Sequence, residues 1–226
     1  MNIKTKKKYN ILIFDLDGTI SKSKFSITKG AQFALAYLGI NIDNLDELDC
    51  FIGPPLIETF QNKYHFNREK ALIGVEKYRE YYLKKGYKEQ FAFEGIDKII
   101  KHHSRIEDIL VVATSKPTEY ANDILRMYNL KRFFSLIVGS NLDNTRTSKI
   151  EVLDHALSLL QKHSKDTMVM IGDRKHDINA ATKLGIDSIG VLYGYGSEDE
   201  IKDSRPTHIV KTINDLANLL EAKKGE

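Results

Sequence analysis

The chain has 226 residues, which is enough for one domain or for one domain with a modest insertion. Hydrophobic residues make up 42% of it and charged residues 29%, a balance that argues against a disordered chain and allows a sizeable core. The formal net charge of only +3 gives no reason to expect a nucleic-acid partner.

The start of the chain is rich in lysine, which most often marks a solvated tail. Four lysines lie there: Lys4, Lys6, Lys7 and Lys8. Asp15 and Asp17 interrupt the apolar stretch that follows, unlike in a signal peptide, and no apolar run has the length of a membrane span. The single cysteine, Cys50, fits a reducing compartment. We therefore expect a cytoplasmic protein without a membrane partner.

Six short apolar runs lack strict alternation, which is typical of strands that are covered on both faces. They span residues 9–14, 109–113, 136–138, 168–171, 188–191 and 208–210. Helical patterns lie between the later runs, at residues 119–128, 150–161, 178–184 and 213–220. Alternating strands and helices predict an α/β fold, with a doubly wound parallel sheet of the Rossmann-like kind.

The interval between the first two strands is much longer than the others, and its pattern is helical throughout. A first helix is expected to end at Gly39, a second to begin after Pro54 and Pro55, and a third to be capped by Asn67. We therefore predict a small, all-helical cap domain at residues 23–90, inserted into a core formed by residues 1–22 and 91–226. The turn-rich residues 17–24 and 91–95 are the expected hinges.

Two carboxylates one residue apart, Asp15 and Asp17, follow the first strand and precede Gly18. Ligands bind beyond the carboxyl ends of parallel strands, and a glycine lets the chain curl so that both side chains can approach one pocket. A divalent cation is the usual remedy for the repulsion between such carboxylates. The alternative is an ordinary acidic turn, because Asp-Gly is a common turn pair.

Hydroxyl and ammonium groups follow the next two strands. Thr114 and Ser115 end the second strand and suit phosphate oxygens, although such residues also cap helices routinely. Lys149 begins the helix after the third strand, where a lone lysine is most often an ordinary surface residue.

A second acidic pair, Asp173 and Asp177, follows the fourth strand and Gly172. If a helix begins near Arg174, both carboxylates can lie on one side of its first turn. A helix dipole alone would explain Asp177 but explains Asp173 less well. Chance placement of four carboxylates, a hydroxyl and a lysine at one edge of a sheet is improbable, so the set predicts a site.

These residues resemble, as a set and in order, the four motifs of the haloacid dehalogenase-like superfamily: Asp15-Leu16-Asp17-Gly18-Thr19, Thr114, Lys149, and Gly172-Asp173 with Asp177. The helical insert resembles the class-one cap of phosphoglycolate phosphatases and β-phosphoglucomutases. The resemblance covers about residues 9 to 220.

The resemblance implies a phosphatase that uses Mg²⁺. Asp15 would be the nucleophile that forms an aspartyl-phosphate, and Asp17 would protonate the leaving oxygen and then activate water. Mg²⁺ would be held by Asp15, the backbone carbonyl of Asp17, Asp173 and Asp177. Thr114, Ser115 and Lys149 would bind the phosphate. The presence of Asp17 argues against dehalogenation as the reaction, because the dehalogenase branch of the superfamily lacks that aspartate and uses no metal.

The cap is expected to select the substrate. Gly53 and Pro54 lie in a loop that either covers the site or simply joins two helices, and Arg79 is a candidate for an anionic leaving group. The histidines of the helical stretches, His102 and His103 among them, are interpreted as ordinary exposed residues.

The leading hypothesis is a phosphomonoesterase, monomeric or homodimeric, that acts on phosphoglycolate, a sugar phosphate or a nucleoside monophosphate. A phosphotransferase or mutase of the same superfamily, similar to β-phosphoglucomutase, is the main alternative. A phospho-aspartate signalling domain is less favoured, because a cap-sized insert and the second acidic pair have no role in it. A binding protein that has lost catalytic residues is disfavoured because no motif position is missing.

Overall fold

The computed structural model describes residues 8–221. Of the lysine-rich start, only Lys8 falls within this range; Lys4, Lys6 and Lys7 lie outside the described residues. The Lys8 ammonium lies 3.2 Å from the Asp187 carboxylate, so this lysine belongs to the folded unit and not to a solvated tail. Within the described range, no helix is both long enough and apolar enough to span a membrane.

The chain divides into two compact units. One unit comprises Met1–Ile20 and Ala92–Glu226, and the other comprises Ser21–Phe91. The part of the chain that the structure describes contains eight strands: β1 (Ile11–Phe14), β2 (Ser21–Lys22), β3 (Phe91–Ala92), β4 (Ile109–Pro117), β5 (Leu136–Ser140), β6 (Met168–Gly172), β7 (Asp187–Val191) and β8 (His208–Val210).

The nine described α-helices are α1 (Lys24–Tyr37), α2 (Leu56–Tyr64), α3 (Arg68–Lys84), α4 (Ile96–Arg105), α5 (Thr118–Met127), α6 (Lys149–Leu159), α7 (Lys175–Leu184), α8 (Glu198–Asp203) and α9 (Ile213–Glu221). Three of them, α1 to α3, belong to the Ser21–Phe91 unit, which also contains a 3-10 turn at Leu45–Phe51. The predicted cap of α3 is confirmed: the Asn67 side chain accepts a hydrogen bond from Lys70 N–H at 2.9 Å.

Six strands form one parallel sheet in the order β5-β4-β1-β6-β7-β8. The predicted α/β fold and parallel sheet are therefore confirmed. β1 lies at the centre, and the chain adds strands first on its β4 side and then on its β6 side. This is the switch point at which such sheets open a crevice for ligands.

The sheet is covered on both faces, as the unalternating apolar runs predict. All four residues of β1 are buried. Ile11 and Ile13 pack into a core cluster with Met170 of β6 and with side chains of α6 and α7, such as Val152 and Ala181. On the alternate positions, Phe14 meets Phe134 edge to face, with ring centroids 6.3 Å apart.

Residues 17–24 and 91–95, the expected hinges, each contain a two-residue strand, and these strands, β2 and β3, pair with each other. That these segments act as hinges stays a prediction. One expectation is corrected. His103 is buried, not exposed, and its Nδ1 lies 2.6 Å from the Asp108 carboxylate. The helix α8 carries no strong apolar periodicity in its six residues, and the sequence pattern did not predict it.

Ile13→Ala tests whether the central strand is packed on both faces. Ile13 is fully buried, so the substitution should lower the free energy of unfolding by about 2–5 kcal/mol. The matched control is Ile209→Ala in edge strand β8, where the side chain is 40% exposed and the expected loss is below about 1 kcal/mol. Urea unfolding measures both. Equal losses would contradict this packing.

Candidate active site

The predicted acidic residues meet at the carboxyl edge of the sheet. Asp15 directly follows β1, and Asp173 directly follows the neighbouring strand β6. Asp177 lies in the first turn of α7 and is fully buried. One carboxylate oxygen from each of these three residues lies within 4.8 Å of the other two. The three residues form the carboxylate cluster of this edge.

Lys149 lies between two members of the cluster. Its ammonium is 2.7 Å from Asp15 Oδ1 and 2.9 Å from Asp177 Oδ1, and it donates to the Ala113 carbonyl at 3.1 Å. Ser148 caps α6 and begins it at Lys149, which sets the lysine at the sheet edge. The lysine is therefore buried and is not an ordinary surface residue.

Asp17 is paired with a residue that the sequence argument did not select. Its Oδ2 lies 2.9 Å from the Lys116 ammonium, and both side chains are largely buried. Its other oxygen, Oδ1, is buried and has no hydrogen-bond partner among the described residues. A buried orphan acceptor is costly, so this oxygen is a place where a further polar group is expected to bind.

Glycine makes the convergence sterically possible. Gly18 has φ +82°, and a Cβ at this position would lie 2.1 Å from Asp173 Oδ2. A Cβ on Gly172 would lie 2.3 Å from Asp177 Cγ. Gly18 therefore does more than turn the chain, because it also leaves room for Asp173, as Gly172 does for Asp177.

Two donors hold Asp173. Thr19 Oγ1 donates to its Oδ1 at 3.3 Å, and Tyr195 N–H donates to its Oδ2 at 2.8 Å. Gly194 also lies against it, since a Cβ there would be 2.2 Å from Asp173 Cβ. The loop after β7 thus contributes directly to the site.

Comparison with known proteins agrees with this geometry. The pattern of the family described as haloacid dehalogenase-like hydrolase matches residues 12–191. The chain belongs to the haloacid dehalogenase-like hydrolases.

Relatives of known name fall in the same family. A protein named 5'-nucleotidase from Pseudomonas aeruginosa is 40% identical over 215 residues, covering 95% of this chain and 97% of its own. Tyrosine-protein kinase PtkA from Mycobacterium tuberculosis is 34% identical over 213 residues, covering 94% of this chain and 72% of its own. A crystal structure of a protein described as a candidate phosphatase from Clostridium difficile has a TM-score of 0.83 at 49% identity, covering 95% of this chain and all of that one. This haloacid dehalogenase-like hydrolase is accordingly a phosphatase.

The structure places the expected phosphate-binding residues unequally. Thr114 is buried where β4 loses its regular register, and its hydroxyl accepts a hydrogen bond from Lys116 N–H at 3.2 Å. Ser115 is partly exposed, and no described contact ties it to the carboxylates. Gly53, Pro54 and Arg79 belong to the Ser21–Phe91 unit, and their part in substrate selection remains a prediction.

Two contributors escaped the sequence argument. Lys116 follows Thr114 by two residues, and a lysine so close to a predicted phosphate site is a signal that could have been used. The Tyr195 N–H could not have been found in this way, since a backbone donor leaves no residue-type signature.

Burial shapes the electrostatics of this phosphatase. It raises the pKa of Asp15 to about 6, with Lys149 acting in the opposite direction and Asp177 adding to the rise. Burial also raises the pKa of Asp173 well above its usual range, and the charges of Asp177 and Asp15 raise it further. Burial alone would lower the pKa of Lys149, but Asp15 and Asp177 outweigh it, so its pKa rises and the ammonium stays charged.

The site therefore has an excess of negative charge. Asp15, Asp17, Asp173 and Asp177 supply four carboxylates, whereas Lys116 and Lys149 supply two ammonium groups. The three clustered residues offer only hard oxygen donors, which suit Mg²⁺ and similar divalent cations. Charge, donor type and spacing all fit such an ion.

Asp173→Asn should raise the stability of the protein in EDTA. The amide keeps an oxygen for Tyr195 N–H but removes a charge that burial and two neighbouring carboxylates disfavour. The melting temperature should rise by about 2–4 °C for each kcal/mol gained in a chain of this size.

The pH dependence of this gain has a definite sign. Because the pKa of Asp173 is raised, the folded state retains a proton that the unfolded state loses, and this stabilisation disappears as pH rises through the folded pKa. The gain should thus be larger near pH ~8 than near pH ~5. Asp123→Asn, on the exposed face of α5, is the control. A lower melting temperature for Asp173→Asn at both pH values would contradict the account.

Proposed function

We propose that this phosphatase is a Mg²⁺-dependent phosphomonoesterase that hydrolyses a small phosphorylated metabolite through an aspartyl-phosphate on Asp15. The observation that carries the proposal is the buried cluster of Asp15, Asp173 and Asp177, with oxygens within 4.8 Å of one another and with Lys149 paired to two of them. Phosphoryl transfer depends chiefly on positioning and on neutralising charge, and this cluster supports both.

Asp15 supplies the nucleophilic oxygen. Its Oδ1 accepts from Leu16 N–H at 2.7 Å and from Lys149 at 2.7 Å, whereas its Oδ2 accepts no hydrogen bond from the residues that the structure describes. Oδ2 is therefore the oxygen that bonds to phosphorus, as the bond between phosphorus and the leaving oxygen breaks. Hydrolysis then takes two steps, formation of the aspartyl-phosphate and its hydrolysis by water, and each has a lower barrier than direct attack by water on the substrate.

Asp17 moves the proton. Its orphan Oδ1 is the oxygen that gives a proton to the leaving oxygen, while Lys116 holds Oδ2 in place. Asp17 then takes a proton from the water that attacks phosphorus, which releases inorganic phosphate and frees Asp15.

Asp15, Asp173 and Asp177 would hold the cation together with the backbone carbonyl of Asp17. When bound, Mg²⁺ offsets the negative charge of the phosphoryl group and of the cluster. Lys149 and the Thr114 hydroxyl, with Ser115 beside them, would hold the phosphate oxygens on the same edge of the sheet.

A nucleoside 5'-monophosphate is the substrate class that we infer first. Support comes from the 40% identity to the Pseudomonas aeruginosa protein named 5'-nucleotidase, which spans nearly the full length of both chains. Phosphoglycolate and sugar phosphates remain within the same class of small phosphomonoesters. Gly53, Pro54 and Arg79 of the helical unit are proposed to select among them.

Transfer of the phosphoryl group to an acceptor other than water is the second candidate. The 34% identity to a protein named tyrosine-protein kinase favours it, as the Asp15 intermediate can in principle pass to another hydroxyl. The two candidates share the first step and differ only in what attacks phosphorus afterwards.

Phosphate release from a panel of compounds tests the proposal. The panel contains nucleoside 5'-monophosphates, phosphoglycolate, sugar phosphates and phosphotyrosine, each with Mg²⁺ or with EDTA. We expect Mg²⁺-dependent release, with the highest kcat/KM for a nucleoside 5'-monophosphate. Asp15→Asn should abolish release, and Asp123→Asn should leave it unchanged, because the Asp123 carboxylate is exposed and pairs with Arg126 on its own helix.

Release that persists in Asp15→Asn would overturn the covalent route. Release that is unaffected by EDTA would overturn the requirement for a cation. A phosphoryl group found on an added alcohol acceptor, with no release of inorganic phosphate in its absence, would favour the transferase.

A further inference from the structure

Asp173 is oriented by a loop that lies far from it in the sequence. Residues 193–197, here called the 193–197 loop, join β7 to α8. Tyr195 N–H in this loop donates to Asp173 Oδ2 at 2.8 Å. A Cβ on Gly196 would lie 2.0 Å from the Asp173 carbonyl oxygen. The loop backbone therefore rests directly on Asp173, and the direction of the carboxylate depends on where the loop lies.

A second contact secures the loop on its β1 side. Tyr193 donates its hydroxyl hydrogen to the Thr19 carbonyl at 3.2 Å, and its ring meets Phe93 edge to face at 5.1 Å. Thr19 itself donates to Asp173 Oδ1. The loop thus donates to one oxygen of Asp173 and contacts the residue that donates to the other.

At its far end, the loop is anchored by Glu200. Glu200 N–H donates to Ser197 Oγ at 3.1 Å, which caps α8 with the last residue of the loop. The Glu200 carboxylate accepts from Arg174 Nε at 2.8 Å and Nη2 at 3.3 Å, and from Lys175 N–H at 2.9 Å. The first turn of α8 is thereby tied to the residues that immediately follow Asp173.

The Glu200–Arg174 pair has the properties of a strong contact. Its side chains are only 16% and 19% exposed, and the guanidinium donates through two nitrogens. Burial acts to raise the pKa of Glu200, but hydrogen bonds from Arg174 and Lys175 outweigh it, so the net shift is downward. The carboxylate is charged at neutral pH and needs Arg174 as its partner.

We propose that Glu200 and Arg174 are positioning residues that seat the 193–197 loop on Asp173, and so orient Asp173 for a divalent cation. The inference rests on the cation site of the proposed function. Residues that orient metal ligands through a neighbouring contact commonly change metal affinity when they are replaced, although they do not bind the metal themselves.

Mn²⁺ binding to the full chain without substrate tests this role. Electron paramagnetic resonance of free Mn²⁺ gives the dissociation constant. Glu200→Gln should raise it about 10-fold, because the amide loses the charge that holds Arg174. The matched control is Glu198→Gln on the same helix, whose carboxylate pairs with Lys202 on an exposed face and should leave Mn²⁺ affinity unchanged.

Three further variants separate the effect of the Glu200–Arg174 pair from a general loss of structure. Arg174→Gln should weaken Mn²⁺ binding as Glu200→Gln does, and the double variant should be no weaker than either one, since both remove the same contact. Gly196→Ala should also weaken binding, because its Cβ would lie 2.0 Å from the Asp173 carbonyl oxygen and would displace the loop although both charged groups of the pair are kept. Urea unfolding identifies any variant that has lost its fold.

The outcomes separate this inference from the cation site itself. If wild type and Glu200→Gln bind Mn²⁺ with equal affinity, the positioning role of Glu200 and Arg174 is overturned and the cation site is not. Weaker binding in Glu200→Gln but not in Arg174→Gln would also overturn it, because a freed arginine that competes with the cation would then be the cause. A wild-type chain that binds no Mn²⁺ would overturn both the cation site and the positioning role of Glu200 and Arg174.

Discussion

Lys149 lies buried between Asp15 and Asp177, and the proposed active site at the carboxyl edge of the sheet depends on this contact. Burying a charged carboxylate costs free energy, and burying two that repel each other costs more. The cluster is therefore stable only with a cation within hydrogen-bond distance. One ammonium group does not balance the edge, even with Lys116 on Asp17. The residual negative charge costs stability and, in the proposed function, provides the affinity for a divalent cation and the field in which a phosphoryl group would react.

Close packing against glycine makes this concentration of charge possible. The backbone at Gly18, Gly172 and Gly194 passes so near the side chains of Asp173 and Asp177 that no Cβ fits. These contacts come from three separate segments of the chain: the residues after β1, the last residue of β6 and the residues after β7. The parallel sheet brings the segments to one edge, and the glycines allow the backbone to approach the carboxylates more closely than a residue with a side chain would. Fold and chemistry are linked at these positions, because a side chain there would move a carboxylate.

The sequence was sufficient for the parts of this arrangement that leave a residue-type signature. Buried strands followed directly by Asp15 and Asp173, and a lysine that begins the helix after a strand, predicted both the sheet and the edge at which these side chains meet. Contacts made by backbone groups or by distant partners were not predictable. The Tyr195 N–H, the Glu200 carboxylate and the buried His103–Asp108 pair depend on loop paths that only tertiary packing fixes. Lys116 lies between these cases: its position was suggestive, but its pairing with Asp17 follows from the irregular end of β4.

Covalent capture of the phosphoryl group on Asp15 tests the central claim most directly. Asp17→Asn should still react with p-nitrophenyl phosphate, because that leaving group needs no proton, but should hydrolyse the product slowly, because water is no longer activated. After an acid quench, mass spectrometry should find the peptide that contains Asp15 heavier by one phosphoryl group, and the label should be absent from Asp15→Asn. A phosphoryl group on Thr114, on Ser115 or on no residue, while wild type turns the compound over, would contradict the account.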